Sequence, residues 1–152
     1  MIVYRLVKNV FATDLSGEGP RLFGGRWNHK DIPCVYTAEN RSLAILEYSV
    51  NITEDDIPRA LSMVSIQVPE KNILEIHRNE LPGDWHLSPV PLSTRDFGTN
   101  LLESLKAAVI KIPSAVIPEE YNYILNPKHP DAALFKILEI RDFVYDIRIK
   151  KK

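Results

Sequence analysis

Alternating apolar and polar residues mark the first strands of the chain. Residues 2–7 alternate in this way and predict a β-strand, in which Arg5 points to the opposite face from its immediate neighbours. Residues 60–68 alternate as well and predict a strand that ends at Pro69. The apolar residues 34–36 predict a shorter strand between these two. The alternation leaves open whether Arg5 faces a cleft or the surface.

The segment 41–50 carries the periodicity of an amphipathic helix. Thr37 and Asn40 are the candidate N-terminal caps, because their side-chain oxygens can accept hydrogen bonds from the free N–H groups of a first helical turn. One apolar stripe of this helix is expected to face the core, and it consists of Leu43, Leu46 and Val50.

Glu47 lies on the edge of this stripe, one helical turn after Leu43. A carboxylate that points toward a protein interior is costly unless it is paired or hydrogen-bonded. Arg26 and Tyr36 are nearby polar residues that could supply such a partner. The pattern therefore leaves two interpretations open: a functional carboxylate in a partly dry site, or an ordinary glutamate that reaches water from the flank of the helix.

A short helix and a broken pair of strands are predicted around residue 108. Thr99 is the candidate cap of a helix that runs to that residue. Residues 108–118 predict two short apolar strands interrupted at Pro113 and Ser114, because a proline within such a run implies an edge or a bulge. The Ser114 hydroxyl could there meet a ligand, although a purely local hydrogen bond explains it equally well.

The remaining segments complete a strand-rich pattern. Residues 133–139 and 143–149 predict two more strands joined by a hairpin, whereas residues 11–23 and 72–91 predict irregular loops. Few helices among several strands are typical of an α+β fold. We therefore predict a single compact domain over residues 1–152, with mixed sheets and a few short helices.

Composition and charge exclude several classes of protein. The chain has 152 residues, of which 45% are hydrophobic and 26% are charged, as in an ordinary globular domain. No apolar run is long enough to cross a membrane, and we expect a cytoplasmic protein. The net charge of -1 argues against a protein that mainly grips a nucleic-acid backbone, so we expect no direct binding of nucleic acid.

Cysteine and histidine residues provide no obvious reactive or metal-binding site. Cys34 is the single cysteine, and we interpret it as a buried apolar filler rather than a nucleophile. Because Cys and His do not cluster at ligand spacing, no metal site is predicted. Trp85 and His86 in the long loop either line a pocket or pin the loop to the core, and packing is the favoured interpretation because large aromatic side chains in loops usually serve packing.

The segment 24–47 combines the most unusual chemistry. Two glycines allow a tight turn and a close approach of the backbone to a ligand. They lead directly into a permanently charged guanidinium, an aromatic ring and an amide, and this run consists of Gly24, Gly25, Arg26, Trp27 and Asn28. A second polar segment, residues 122–131, is rich in turn-forming residues and contains Asn126.

The order of these motifs along the chain resembles that of a known family. YR, GGRWN, VYT, LAILE, IPSAVIP and NPKHPD follow one another across essentially the whole sequence, and this series is similar to that of the RES domain, the toxin half of RES-Xre toxin-antitoxin pairs in bacteria. The resemblance implies a fold like that of ADP-ribosyltransferase toxins. It also implies an enzyme that acts on NAD as substrate, and an Xre-type antitoxin partner that covers or closes the active site.

The resemblance assigns three catalytic residues. Glu47 in LAILE would stabilise the positive charge that develops on the ribose when nicotinamide leaves, or would hold the ribose hydroxyls. Arg26 in GGRWN would contact the pyrophosphate of NAD, and Tyr36 in VYT would stack on the nicotinamide ring. No metal or further cofactor is implied.

The resemblance also assigns residues that bind NAD. Ser114 and Asn126 would orient phosphate or ribose by hydrogen bonds, and Arg5 would add a second guanidinium at the pyrophosphate. Trp27 and Asn28 share the GGRWN motif and complete the predicted binding set.

Several functions remain open at this stage. The first is an NAD-degrading toxin that cleaves the bond between nicotinamide and ribose by hydrolysis or phosphorolysis. The second is an ADP-ribosyltransferase that modifies a cellular protein, and the third is a non-catalytic nucleotide-binding module. An RNase is disfavoured by the charge balance and the lack of a convincing histidine pair. The sequence is compatible with a homo-oligomer and does not specify one.

Overall fold

The computed structural model describes residues 1–53, 55 and 60–150. Within these ranges the chain forms three α-helices, α1 (Glu18–Phe23), α2 (Arg41–Val50) and α3 (Leu92–Glu103). The strands in the same ranges are β1 (Ile2–Lys8), β2 (Val35–Ala38), β3 (Leu61–Gln67), β4 (Leu74–Glu75), β5 (Val109–Pro113), β6 (Tyr121–Leu125) and β7 (Lys136–Phe143). None of the described helices is both long and apolar enough to cross a lipid bilayer.

All the described strands belong to one mixed sheet, whose strand order is β4-β5-β6-β2-β1-β3-β7. Neighbouring strands are antiparallel except β4 and β5, which are parallel. The short helices connect the strands. This arrangement confirms the prediction of an α+β domain built on a strand-rich mixed sheet.

The sheet has a weak seam between β1 and β2. These strands share one register pair, Tyr4 with Ala38, whereas β1 pairs with β3 along its whole length. Because the rest of β1 and β2 is not paired, few backbone hydrogen bonds join the half-sheet β4-β5-β6-β2 to the half-sheet β1-β3-β7. A cleft lies at this seam and is lined by residues of both β1 and β2.

Apolar side chains of the central strands fill the core on both sides of the sheet. Every residue of β3 from Leu61 to Ile66 is buried, because β3 lies between β1 and β7 and is covered on both faces. Leu43 and Ala44 of α2 pack on one of these faces together with Met63. This packing fixes the position of α2 relative to β1 and therefore relative to the seam.

The local predictions for the first half of the chain are largely confirmed. The strands predicted at 2–7 and 60–68 and the helix predicted at 41–50 are present. Asn40 caps α2, since its side-chain oxygen accepts a hydrogen bond from the N–H of Leu43 at 2.7 Å. Thr37 lies in β2 and is not a cap.

The predicted apolar stripe of α2 is only partly correct. Leu43 is fully buried, but Leu46 is 36% exposed and Val50 is 55% exposed. Val50 and Glu47 both line the cleft. The helix thus turns one face to the sheet and another to the cleft, which a stripe based on periodicity alone does not distinguish.

Several predictions for irregular segments are wrong. Residues 11–23 contain the helix α1, and the second strand predicted within 108–118 is a turn after Pro113. The hairpin predicted between 133–139 and 143–149 is absent, because β7 continues through residues 141–142 in register with β3. Its backbone thereby gains hydrogen bonds that a turn would forgo.

Thr99 does not cap a helix but lies inside α3. This helix begins at Leu92, directly after Pro91, and a proline there costs nothing because the first helical N–H groups have no intrahelical partner. It ends at Glu103, close to Leu105, whose φ of 54° lies in the left-handed region. Part of the polar connection predicted at 53–58, and most of the terminal lysine tail at 150–152, lies outside the described residues.

Substituting Gly98 by Ala is expected to destabilise the protein. A Cβ atom there would lie 2.0 Å from the backbone oxygen of Trp27, which cannot move without shifting the adjoining loop. We expect a loss of about 1–3 kcal/mol and a melting temperature lower by about 3–10 °C, measured by thermal denaturation.

Gly83→Ala is the matched control, because a Cβ at Gly83 meets no atom within 4 Å. Helix propensity alone predicts that Gly98→Ala stabilises α3 by up to about 1 kcal/mol. A melting temperature that is unchanged or raised would therefore contradict the close approach of α3 to Trp27.

Candidate active site

A cleft of about 740 Å³ lies at the seam between the two half-sheets, within the size range of small-molecule sites. Strands β1 and β2 form its floor, helix α2 forms one wall, and the glycine turn before Arg26 forms the opposite wall. The lining includes Tyr4, Arg5, Arg26, Trp27, Tyr36, Thr37, Glu47, Arg95 and Val116. Five of the predicted site residues are thus in one cavity, although they come from distant parts of the chain.

The carboxylate of Glu47 is oriented by the hydroxyl of Ser114. The Ser114 Oγ atom donates a hydrogen bond to Glu47 Oε1 at 2.6 Å. The same oxygen accepts hydrogen bonds from the N–H groups of Val116 and Ile117, at 3.0 and 3.1 Å. Because these N–H groups occupy its lone pairs, the serine hydroxyl must direct its one proton at Glu47. These bonds agree with the interpretation of Ser114 as a local hydrogen-bonding group, and they also connect it to Glu47. Its predicted contact with NAD stays a prediction.

Arg26 is anchored to the loop that follows Trp85. Its Nη1 atom donates hydrogen bonds to the backbone oxygens of Trp85 and Leu87, both at 2.9 Å. Burial lowers the pKa of Arg26, and the charge of Glu47 opposes this effect, but a guanidinium remains charged at neutral pH. One end of the guanidinium is thus fixed, and no residue of the described ranges bonds to its other nitrogens.

Tyr36 supports the turn beneath Arg26. Its hydroxyl accepts a hydrogen bond from the N–H of Trp27 at 3.0 Å and donates one to Asn28 Oδ1 at 2.5 Å. Burial raises the pKa of Tyr36 well above its usual value, so the phenol stays neutral. A Cβ at Gly25 would lie 2.7 Å from this hydroxyl, which explains the glycine at that position. The hydroxyl is fully used within the protein, while the tyrosine contributes to the cleft lining.

Asn28 serves the turn and does not line the main cleft. Its side chain is completely buried, and its Nδ2 atom donates hydrogen bonds to the backbone oxygens of Pro20 and Ile32 at 2.8 and 2.9 Å. Together with the bond from Tyr36, these contacts satisfy its polar atoms within the protein. The geometry thus gives Asn28 a structural role, and its predicted contact with NAD stays a prediction.

The two tryptophans pack against each other beside this turn. Trp27 borders the cleft but is almost fully buried, and its ring centroid lies 6.5 Å from that of Trp85 and 6.1 Å from that of Phe97. Trp85 belongs to the same buried cluster, which confirms that it pins its loop to the core. His86 is exposed and does not line the cleft.

Arg5 extends from β1 into the cleft and ties down the segment that follows β1. Its Nη2 atom donates hydrogen bonds to the backbone oxygens of Phe11 and Asp14, at 2.6 and 2.7 Å. Burial lowers the pKa of Arg5, and the charge of Asp14 opposes this effect. Its Nε atom is buried without a partner among the described residues. Arg5 thus carries positive charge into the floor of the cleft.

Asn126 does not reach the cleft, so its predicted contact with NAD has no support in the geometry. Its side chain is buried at the end of β6, where Nδ2 donates to the backbone oxygen of Leu102 at 2.9 Å. Its Oδ1 atom accepts a hydrogen bond from the N–H of Lys128 at 3.1 Å. Asn126 is held at this position because the end of α3 and the turn after β6 leave buried backbone groups that need a hydrogen-bond partner.

Arg95 lines the cleft and was missed by the sequence analysis. It lies in the first turns of α3, and its Nε atom donates a hydrogen bond to the backbone oxygen of Gly25 at 3.3 Å. No local pattern points to Arg95, because Thr99 is the predicted start of this helix.

The cleft has an excess of positive charge. None of the three arginines in its lining forms an ion pair with a carboxylate of the described residues. Among the described lining residues Glu47 is the only acidic one. The arginines are Arg5, Arg26 and Arg95. The arrangement suits a ligand that carries negative charge over most of its length and a positive centre near Glu47.

Cys34 lies close to this region but is not suited to react. It is buried at the start of β2, and burial raises the pKa of its thiol to about 12. The thiolate that would act as a nucleophile is therefore scarce at neutral pH. The structure confirms the interpretation of Cys34 as a buried filler.

Comparison with known proteins identifies relatives across nearly the whole chain. The RES domain matches residues 2–146. The Prs ADP-ribosylating toxin of Sphingobium sp. (strain YBL2) is 35% identical over 93% of this chain and 89% of its own length. Toxin Res of Yersinia enterocolitica is 33% identical over 99% of this chain and 100% of its own, and Toxin Res of Photorhabdus laumondii is 36% identical over 99% and 98%.

A solved structure shares the fold. The chain superposes on a chain of the M. tuberculosis MbcT-MbcA toxin-antitoxin complex with a TM-score of 0.73, covering 99% of this chain and 86% of the other. The two sequences are 19% identical. At this identity the likeness shows a common fold.

Proposed function

The chain belongs to the RES domain family, and from that premise we propose that it is the toxin of a bacterial toxin-antitoxin pair and consumes NAD in the cleft at the seam of its sheet. The observation that carries this proposal is the Glu47 carboxylate, which Ser114 orients at 2.6 Å in a cleft whose lining arginines form no ion pair with a carboxylate of the described residues.

The charges of NAD match those of the cleft. Its pyrophosphate carries negative charge, which the guanidinium groups of Arg26, Arg5 and Arg95 complement. Its nicotinamide ring is a cation bonded to ribose, and Glu47 supplies the negative charge that such an end requires. A ligand with only negative groups would gain nothing from this carboxylate. The combination therefore favours NAD over a simple nucleotide.

Cleavage would break the bond between the ribose C1′ atom and the nicotinamide nitrogen. The electron pair of that bond passes to the ring, so nicotinamide leaves as a neutral molecule and positive charge develops on the ribose. The Glu47 carboxylate stabilises this charge or holds a ribose hydroxyl, and Tyr36 borders the space for the leaving ring. Water or phosphate then bonds to C1′, and a proton is released. The chain's own residues would thus bind, orient and stabilise charge without a metal.

ADP-ribosyl transfer to a protein is the second candidate, and one observation favours it. A relative that is 35% identical over 93% of this chain is named as a Prs ADP-ribosylating toxin. This reaction uses the same cleft and the same bond cleavage, and only the group that bonds to C1′ differs.

The proposed partner is an Xre-type antitoxin that covers the mouth of the cleft. The MbcT fold relative occurs in a toxin-antitoxin complex. In this chain the mouth carries apolar residues that a partner could bury, among them Phe23, which is 77% exposed.

Expressed alone, the protein should slow bacterial growth and lower cellular NAD, and unchanged growth and NAD would contradict the toxin proposal.

Purified protein incubated with NAD is expected to release nicotinamide. Chromatography of NAD and nicotinamide, with and without phosphate, tests the reaction and separates phosphorolysis from hydrolysis. NAD labelled in its adenosine half distinguishes transfer, because a transferase leaves label on a protein whereas a hydrolase does not. Binding of NAD without turnover would instead support a non-catalytic binding module, and the absence of both would overturn the proposal.

A further inference from the structure

A second cavity of about 340 Å³ adjoins the cleft on the far side of the glycine turn. Its lining consists of Phe23, Gly24, Asn28, His29, Lys30 and Arg95. Phe23, Gly24 and Arg95 also line the cleft, so the two spaces meet at these residues. Arg95 therefore stands between the proposed NAD site and a space to which no role has been given.

The charges around this second cavity are unbalanced. Lys30 and Arg95 form no ion pair with any carboxylate of the described residues, and the described lining contains no acidic residue. The nearby carboxylate of Asp96 is engaged by His29, whose Nε2 atom lies 2.6 Å from Asp96 Oδ1. Two unpaired cations thus face one concave space in a chain whose net charge is -1. Such a site attracts an anion.

The shapes of the cationic groups favour phosphate among anions. Arg95 uses only Nε within the described protein, at 3.3 Å from the Gly25 oxygen, so both of its terminal nitrogens are available for a fork of parallel hydrogen bonds. Guanidinium forks match phosphate oxygens, and Lys30 adds a mobile ammonium donor. Gly24, with φ of 73°, keeps a side chain out of the passage between the two spaces.

We propose that this cavity is a phosphate-binding subsite formed by Lys30 and Arg95. The phosphate group could come from two sources: the pyrophosphate of NAD as it passes Arg95, or a separate phosphate that binds beside the dinucleotide. Binding of phosphate itself depends only on the cavity and its charges. Its relation to NAD rests on the proposed function.

Titration of the full chain with inorganic phosphate, followed by backbone amide NMR, tests the subsite. We expect saturable shifts at residues 24, 29, 30 and 95, and about tenfold weaker binding in Lys30→Gln and in Arg95→Gln, because each removes a charge-assisted hydrogen bond. Lys71→Gln, at an exposed lysine outside both cavities, is the control and should bind phosphate as the wild type does. Shifts that are absent, or equal dissociation constants in all these variants, would overturn the proposal.

Competition with NAD then distinguishes the two sources. The titration is repeated on the Glu47→Gln variant saturated with NAD, in which turnover is suppressed. Displacement of phosphate by NAD assigns the subsite to the dinucleotide's own pyrophosphate, and simultaneous binding assigns it to a separate phosphate. Phosphate binding in a protein that neither binds nor cleaves NAD would retain the subsite and overturn the proposed function. NAD cleavage without phosphate binding at these residues would retain the proposed function and overturn the subsite.

Discussion

Replacing Glu47 by Gln is expected to reduce the rate of nicotinamide release by about a thousandfold. The amide has nearly the same shape as the carboxylate, and its oxygen can still accept the 2.6 Å hydrogen bond from Ser114. What is lost is the negative charge that opposes the positive ribose in the transition state. The decrease should therefore appear in kcat, with a melting temperature close to that of the wild type, and single-turnover kinetics with NAD measure it.

Ser114→Ala separates orientation from charge. This variant keeps the carboxylate of Glu47 but removes its hydrogen-bond donor, and it leaves the N–H groups of Val116 and Ile117 without their acceptor. We expect a smaller decrease in kcat, of about tenfold, together with a lower melting temperature. Glu103→Gln changes an exposed carboxylate on α3 and should have no effect. Full activity in Glu47→Gln would show that the site has been assigned wrongly.

Replacing Arg26 by Ala is expected to lower kcat/KM for NAD by about a hundredfold. The guanidinium is held at one end by the backbone oxygens of Trp85 and Leu87, which fixes its other end toward the cleft. A fixed fork loses little conformational entropy on binding pyrophosphate, so its removal costs more than that of a mobile cation. Most of the effect should appear in KM if the contact is equally strong in substrate and transition state.

Arg26→Lys provides the informative comparison. A lysine keeps the charge, but its ammonium group lacks the planar fork that can bond the two backbone oxygens at one end and present parallel N–H groups to a phosphate at the other. We expect activity between those of the wild type and Arg26→Ala. Arg78→Ala, at an exposed arginine that pairs with Glu119 away from the cleft, is the matched control. Equal activity of the Arg26→Lys variant and the wild type would mean that only the positive charge at position 26 contributes to activity. The hydrogen bonds to the loop would then be irrelevant to it.

Sequence predicts well those features that depend on neighbouring residues. The cap at Asn40, the alternation in β1 and β3, and the position of Glu47 on α2 all follow from local periodicity and from hydrogen bonds within a few residues. The approach of Ser114 to Glu47 spans 67 residues, and no local pattern contains it. The motifs named both residues, and only the fold brings them together.

Polar residues in turn-rich segments are the hardest to interpret. Asn28 and Asn126 look like candidates for ligand binding, yet each uses its amide on buried backbone groups. Conversely, Arg95 looks like a surface residue of an unpredicted helical turn, yet it lines two cavities. Whether a polar side chain bonds to the backbone or lines a cavity depends on which backbone groups the fold leaves without partners. Tertiary packing, rather than local sequence, decides which groups these are.

The packing of Trp27 on Trp85 has a spectroscopic consequence. These are the two tryptophans of the chain, their ring centroids lie 6.5 Å apart, and the Trp85 oxygen accepts a hydrogen bond from Arg26. A ligand that binds the Arg26 guanidinium therefore contacts a group that is hydrogen-bonded to the backbone of one of these two tryptophans. We expect the intrinsic fluorescence of the unlabelled protein to change when the cleft is occupied.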